Sequence, residues 1–251
     1  LGRATAYQNI GNTFAHLGHT EDAESNLRKA LALFEQVDEK KEVARTYNWL
    51  GIALMDQGYL DKSIHAYQQA LMLSDHISDI QKAAILNNLG ECHQELFDVD
   101  RALMYHRQAL ALASEIQIDY LEADLIRNLG VDLWYLGELE EGLACLEKSL
   151  AICQKTGQQE IELQTLASLA EVELAFNRVD TALNYAETLQ SEAQKISARH
   201  YQARGMYTLG LCYQRQAEAI KAGQMWHQAL FLAHETNQQG LLWRIHASLA
   251  E

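Results

Sequence analysis

The stretch Thr46–Leu71, TYNWLGIALMDQGYLDKSIHAYQQAL, decides the fold because the chain writes it again. NNLGECHQELFDVDRALMYHRQAL follows at Asn87–Leu110, and RNLGVDLWYLGELEEGLACLEKSL at Arg127–Leu150. Each copy holds two apolar stripes at helical spacing, separated by a short turn. Aligned on the small residue after a leucine or isoleucine, the chain gives Gly11, Gly51, Gly90, Gly130, Ala170, Gly210 and Ala250, with steps of 40, 39, 40, 40, 40 and 40. Two further columns stay in register: Ala23, Ser63, Ala102, Gly142, Ala182, Ala222, and Ala30, Ala70, Ala109, Ser149, Leu189, Ala229. Chance does not hold three columns together for six periods, so the repeat is real.

Within each period the turn carries Gly18, Gly58, Gly137 or Asn177, residues that tolerate the left-handed conformation closing a helix. Three residues on stands an acid (Glu21, Asp61, Asp100, Glu140, Asp180), where the positive end of a second helix favours a carboxylate. The segment RQAEAIKAG, Arg215–Gly223, lacks both features, and an irregular joint is expected there. Small residues in the columns let paired helices approach, while Tyr7, Phe14, Tyr67, Leu146 and Trp226 are expected to fill the space between hairpins. One such hairpin cannot bury its apolar face alone, whereas a stack of copies can.

The pattern aromatic-x-x-Leu-Gly-x-x-aromatic, then Ala, then aromatic, then Ala-Leu resembles the tetratricopeptide repeat. The resemblance implies an all-α, right-handed superhelical solenoid of antiparallel helix pairs spanning residues 1–251 as one array. Repeats are expected near 4–43, 44–82, 83–122, 123–162, 163–202 and 203–242, with a partial seventh at 243–251. The period is longer than the family's usual 34 residues, and the proline that often ends the second helix is missing. Long-period arrays of this kind are similar to those of bacterial signalling proteins: STAND-type NTPases, transcriptional regulators, caspase-like protease fusions and cyclase-linked regulators. Leu1 stands a few residues before a helical pattern, so the chain is expected to be a piece of a longer protein. A seventh helix whose partner lies beyond Glu251 would expose apolar surface, and end-to-end self-association is expected from it.

Composition agrees with helices. The 251 residues contain no proline, and Ala, Leu, Gln and Glu dominate. No apolar run is long enough to span a membrane. The net charge of −14, with scattered basic residues, argues against nucleic acid and against anionic membrane surfaces. Cys92, Cys145, Cys153 and Cys212 show no CxxC spacing, which fits thiols in a reducing cytoplasm.

Signatures of catalysis are missing: no phosphate loop, dinucleotide turn, HExxH zinc site or GxSxG elbow occurs, so no catalytic residue, metal ligand or cofactor is expected. Cys92-His93 with His106 invites a metal reading, but adjacent residues cannot share one helix face. Both histidines are expected in the core, packed on each other. The acidic turn Gly137–Gly142 reads as a helix start.

The face opposite each first helix's buried stripe is the sharper candidate. With Tyr7, Ile10, Gly11 and Phe14 taken as the core side, Gln8, Asn9 and Asn12 point away. The equivalents taken downstream are Asn48 and Trp49; Asn87 and Asn88; Arg127, Asn128 and Trp134; and Tyr207, with Arg45 and Arg204 one turn earlier. The family resemblance implies that this face lines a concave groove where asparagines clamp a peptide backbone, since one amide can both donate and accept. Asn48, Asn88 and Asn128, at 40-residue steps, are expected to form an outward-facing ladder. The family's basic clamp for carboxylate chain ends has no counterpart, because Gln8 and Ala84 occupy its columns. A non-catalytic protein- or peptide-binding scaffold is the expected function. The alternative is a sensor or autoinhibitory array whose partner is another domain of the same polypeptide.

Overall fold

The structure, a computed structural model, describes residues 1–115 and 119–250. Among these residues there are thirteen α-helices and no strand. They run α1 Gly2–His16, α2 Thr20–Gln36, α3 Lys40–Asp56, α4 Leu60–Met72, α5 Asp79–Glu95, α6 Val99–Glu115, α7 Asp119–Tyr135, α8 Leu139–Thr156, α9 Gln159–Ala175, α10 Val179–Lys195, α11 Arg199–Arg215, α12 Ala219–Glu235 and α13 Gln239–Ala250. Two compact units divide the chain, 1–136 and 137–251, with the boundary in the turn that follows α7.

The helices end by a backbone device. One residue with positive φ closes them at Gly18, Asp38, Gly58, Phe97, Gly137, Gly157, Asn177, Ser197, Ala217 and Asn237, at intervals of 20 wherever consecutive. The next amide then reaches back five residues, as in His19 N to Phe14 O at 2.9 Å, Asp98 N to His93 O at 2.9 Å and Glu218 N to Tyr213 O at 2.9 Å. Such bonds satisfy carbonyls that a helix end leaves open. The period of 40 is therefore two helices of mostly 17 residues, each with the same short joint. The expected irregularity near Arg215–Gly223 is absent, since Ala217 takes φ +61° where other copies place Gly18, Gly58, Phe97, Gly137 or Asn177. The 39-residue step has a local cause: α4 stops at 13 residues, a short 3₁₀ turn spans Ser74–His76, and Ser78 starts α5 through a reciprocal capping box with Gln81.

Packing explains which residues go inside. Second helices bury one narrow stripe, as in Ala182, Ala186, Leu189 and Ala193 of α10. First helices are sandwiched: α9 buries Leu163, Thr165, Leu166, Ala167, Ser168, Leu169, Ala170, Val172, Glu173 and Leu174. In each unit successive first helices touch (α1 with α3, α3 with α5, α5 with α7; α9 with α11), and second helices make no comparable contact. The first helices thus form the inner row of each unit.

The column of small residues is a contact point inside the hairpin. A Cβ on Gly11 would sit 2.7 Å from Leu27 Cγ, and one on Gly51, Gly90 or Gly210 would collide with Tyr67, His106 or Trp226. Each collision partner lies sixteen residues on, in the second helix of the same hairpin. Tyr67 and Trp226 therefore fill the contact point of their own hairpins and also pack toward the next one, in clusters with Ile85, Leu89 and Cys92 and with Leu241, Leu242 and Ile245. The pair Ala170 and Ala186 occupies the same two columns, with small residues on both sides. Gly51→Ala is expected to lose about 1–3 kcal/mol, the cost of overpacking against a buried ring. Gly223→Ala, with open space around its Cβ in α12, should gain about 0.5–1 kcal/mol from helix propensity. Chemical denaturation of the two variants measures both signs.

Candidate functional site

Position in the inner row sorts the candidate residues. Asn9 and Arg45 are exposed, and Asn12, Asn48, Trp49, Asn88, Arg127, Trp134 and Arg204 are half-buried. Gln8, Asn87, Asn128 and Tyr207 are buried. The expected phase of α1 is thus corrected: Ala4, Gln8, Gly11 and Ala15 go inside while Ile10 is exposed. The cause is the neighbour. A side chain that turns away from its own second helix turns toward the next first helix of the row.

The buried amides spend their hydrogen bonds between repeats. Gln8 Nε2 donates to Thr46 Oγ1 at 2.9 Å and to Glu42 Oε2 at 3.2 Å. Asn128, 1% exposed, donates to Asn87 Oδ1 at 2.9 Å and Glu91 Oε1 at 3.2 Å. Asn87 donates in turn to Glu91 and to Asp124, whose carboxylate also holds the Arg127 guanidinium at 2.7 Å. The outward ladder of Asn48, Asn88 and Asn128 is corrected accordingly: Asn48 and Asn88 meet at 3.4 Å on a half-open surface, and Asn128 is interior. The 39-residue step contributes, because Asn48 stands three residues before Gly51 whereas Asn88 stands two before Gly90.

In the second unit, Arg204 reaches Glu171 at 3.2 Å, and Arg244 approaches the same carboxylate at 3.7 Å while lying over the Tyr207 ring. Tyr207 belongs to the core, and its carbonyl accepts from the Trp226 indole at 3.2 Å. Trp49 packs beside the cluster of Ala15, Leu27, Leu50 and Leu54, and Trp134 stacks on Tyr135 with centroids 4.8 Å apart.

His93 and His106 are both buried, as expected, but they are not packed on each other. His93 stacks on Tyr105, with centroids 5.4 Å apart. His106 Nδ1 lies 2.5 Å from Asp132 Oδ2, both side chains fully buried, and Gln94 donates to the other Asp132 oxygen at 2.8 Å. Sequence reasoning missed Asp132, although a column reading carries the signal. Two residues after the small position stand Thr13, Ala53, Cys92, Asp132, Val172 and Cys212, one acid among small and apolar neighbours.

Burial, with the nearby Asp124 carboxylate adding to it, pushes the Glu91 carboxyl up. Burial raises the Cys92 and Cys212 thiols to about 11, far from the thiolate form that nucleophilic chemistry needs. The four cysteines form no disulfide. Among the described residues, no three of His, Cys, Asp and Glu group to hold a metal ion, and no helix is long and apolar enough to cross a membrane.

Short antiparallel helix pairs, joined by one recurring turn and tied through an inner row, define a helical-repeat protein. The tetratricopeptide repeat family matches residues 42–115 and 121–191 with one profile and residues 3–37 with a second, and the chain belongs to that family. Human "SH3 domain and tetratricopeptide repeat-containing protein 2" is 26% identical over 175 residues, 66% of this chain, and the chain spans 13% of that relative's length. Among solved structures, apo RapI superposes with a TM-score of 0.76 at 18% identity, covering 97% of this chain and 95% of RapI. The Rap conjugation gene regulator of plasmid pLS20, in complex with the Phr peptide, gives 0.74 at 12% identity, covering 96% and 78%. A signal transduction ATPase with numerous domains and a tetratricopeptide repeat sensor, from Pyrococcus horikoshii, gives 0.73 at 17% identity, covering 98% and 41%. These likenesses show the fold, an all-α array of antiparallel helix pairs.

Two outcomes follow from the buried network. His106→Leu or Asp132→Ala alone should cost about 3–5 kcal/mol, because each leaves the other group buried without its partner. The double variant restores residue types found in those columns of other repeats (Leu27, Ala53) and should recover most of that loss in a double-mutant cycle. Glu91→Gln should stabilise at neutral pH, because burial penalises ionisation of Glu91 in the folded chain. With the folded value raised above the unfolded one, this gain should fade as pH falls through the folded value toward the ordinary glutamate range. Urea titrations at several pH values read the trend.

Proposed function

We propose that the chain is a non-catalytic recognition module that takes an extended segment of a protein partner along the inner row of first helices in its first unit. One observation carries this reading. Asn88 Nδ2 donates to Asn48 Oδ1 at 3.4 Å across adjacent repeats on a half-open surface. The pair keeps amide donors on Asn48 and a carbonyl on Asn88 for a ligand, the complement of a peptide unit. Exposed Asn9 and Arg45, with half-buried Trp49 beside them in sequence register, extend the same face. Arg45 is held loosely, by one contact of 3.7 Å to Glu42. Gln8, Asn87 and Asn128 drop out as direct ligands and act as the frame behind it, and Tyr207 drops out as a core residue of the second unit.

The similarity to a plasmid Rap regulator in complex with a peptide supports a peptide ligand. Similarity to an ATPase with a repeat sensor favours a second arrangement, in which the bound segment belongs to the same polypeptide. Cysteines without disulfides support a reducing compartment such as the cytoplasm.

Peptides selected from a random phage-displayed library on the wild-type chain test the face. Asn48→Ala with Asn88→Ala should leave the melting transition within about 0.5 kcal/mol of wild type, since half-open polar groups are replaced by the better helix former. Affinity for the selected peptides should fall by about 1–3 kcal/mol, the loss when buried peptide groups go unpaired. Equal affinity in a folded double variant would move the binding surface off the inner row.

A further inference from the structure

On the opposite side of the first unit, the second helices α4 and α6 leave a cleft of about 550 Å³ between them. Its floor is the His93 ring, 4% exposed and stacked nearly parallel on Tyr105 with 20° between planes. His93 Nδ1 is buried and makes no hydrogen bond; Asp98 Oδ2 stands 3.5 Å away. A buried ring nitrogen without a partner costs about as much as a lost hydrogen bond, and the ring that carries this one lines the cleft. Asp61 enters from α4 and Asp98 from the turn before α6, while Ile64 and Met104 provide apolar wall. Arg101 lies 3.4 Å from Asp98 with its side chain 66% exposed, so it answers one of the two carboxylates, and loosely.

We infer that this cleft is a second recognition site, which takes the arginine side chain of a protein partner. A guanidinium is planar, so it can lie against aromatic rings such as His93 and Tyr105, and its fork of N–H groups suits a cleft lined by Asp61 of α4 and Asp98 of the turn before α6. Its three-carbon stem fits the Ile64 and Met104 walls. Burial lowers the tendency of His93 to protonate, against the opposing pull of Asp98, and a neutral ring can accept at the nitrogen that carries no proton. Two carboxylates against one guanidinium leave the lining net acidic, in a chain of net charge −14 that attracts cations. An anionic ligand would meet Asp61 and Asp98 first.

The site is independent of the inner-row reading, and its test separates the two. The whole chain, with ¹⁵N-labelled histidine, is titrated with the end-capped peptide Gly-Gly-Arg-Gly-Gly and its lysine and citrulline counterparts, while the His93 ring resonances are followed. The arginine peptide should give a saturable shift with a Kd of about 1 mM, modest as befits one side chain. Citrulline, equally planar but uncharged, should bind about tenfold more weakly, as should lysine, which lacks the fork. Asp98→Asn should weaken the arginine peptide about tenfold. Asp61→Asn, at an exposed position in the first turn of α4, should weaken it about threefold, with a melt lowered only slightly through the lost helix-end charge. The Asn48→Ala, Asn88→Ala variant should bind as wild type does. An arginine peptide that gives no saturable His93 shift overturns the proposal. So does citrulline or lysine binding as tightly as arginine, or indifference to both aspartate substitutions.

Discussion

Everything in this chain depends on how closely two helices of one hairpin can approach. The glycine or alanine that follows leucine or isoleucine in the first helices sits under a side chain sixteen residues later, and that side chain sets the spacing: Leu27, Tyr67, His106, Ala186, Trp226. Where the second residue is a ring, the first has no Cβ. Where both are alanine, the helices meet through small surfaces on each side. The hairpin thus keeps its geometry while the content of its contact point changes, which lets one fold carry a leucine, an indole or a histidine in the same place.

The histidine version has a further consequence. His106 brings an ionisable group to the contact point, and Asp132 on the next first helix answers it, with Gln94 bonded to the remaining oxygen. A hydrophobic repeat can be exchanged for its neighbour with little loss, but a buried acid and imidazole match only each other. The network around Asn87, Glu91, Asp124 and Asn128 adds to this, since its members alternate between α5 and α7. Such groups stabilise little in net terms, because desolvation offsets attraction. Their effect is to fix which repeat follows which, and the partly open Asn48 and Asn88 are held in place by that order.

Much of this was legible in the residues. The columns alone gave the helix pairs, the turn at Gly18 or Gly58 and the acid that opens each second helix. What the columns could not give was the environment of the inner row. A helical wheel drawn for one hairpin sends Gln8 and Asn128 to solvent, yet each meets a neighbouring first helix that the wheel does not contain. The joints were half legible for a different reason. Glycine or asparagine announces a left-handed residue, but Phe97, Ser197 and Ala217 adopt the same conformation with no such signal, because the packing of two long helices on either side leaves the chain no other path. Asp132 was visible as an odd letter in its column, and its meaning needed the partner.

The recurring joint gives the array a parity. In most of the described joints closing residues fall twenty positions apart, after first and second helices alike, so these joints do not distinguish the inner row from the outer one; the alternation of broad and narrow buried faces does. An insertion of one whole period would leave that alternation in phase, while an insertion of half a period would ask every later helix to exchange its sandwiched surface for its solvated one. The single missing residue before α5 stays harmless because it is absorbed in a joint, where the 3₁₀ turn and Ser78 reset the count before the next helix begins. Growth of such a chain is therefore quantised in hairpins, and its tolerance for length variation lies entirely in the joints.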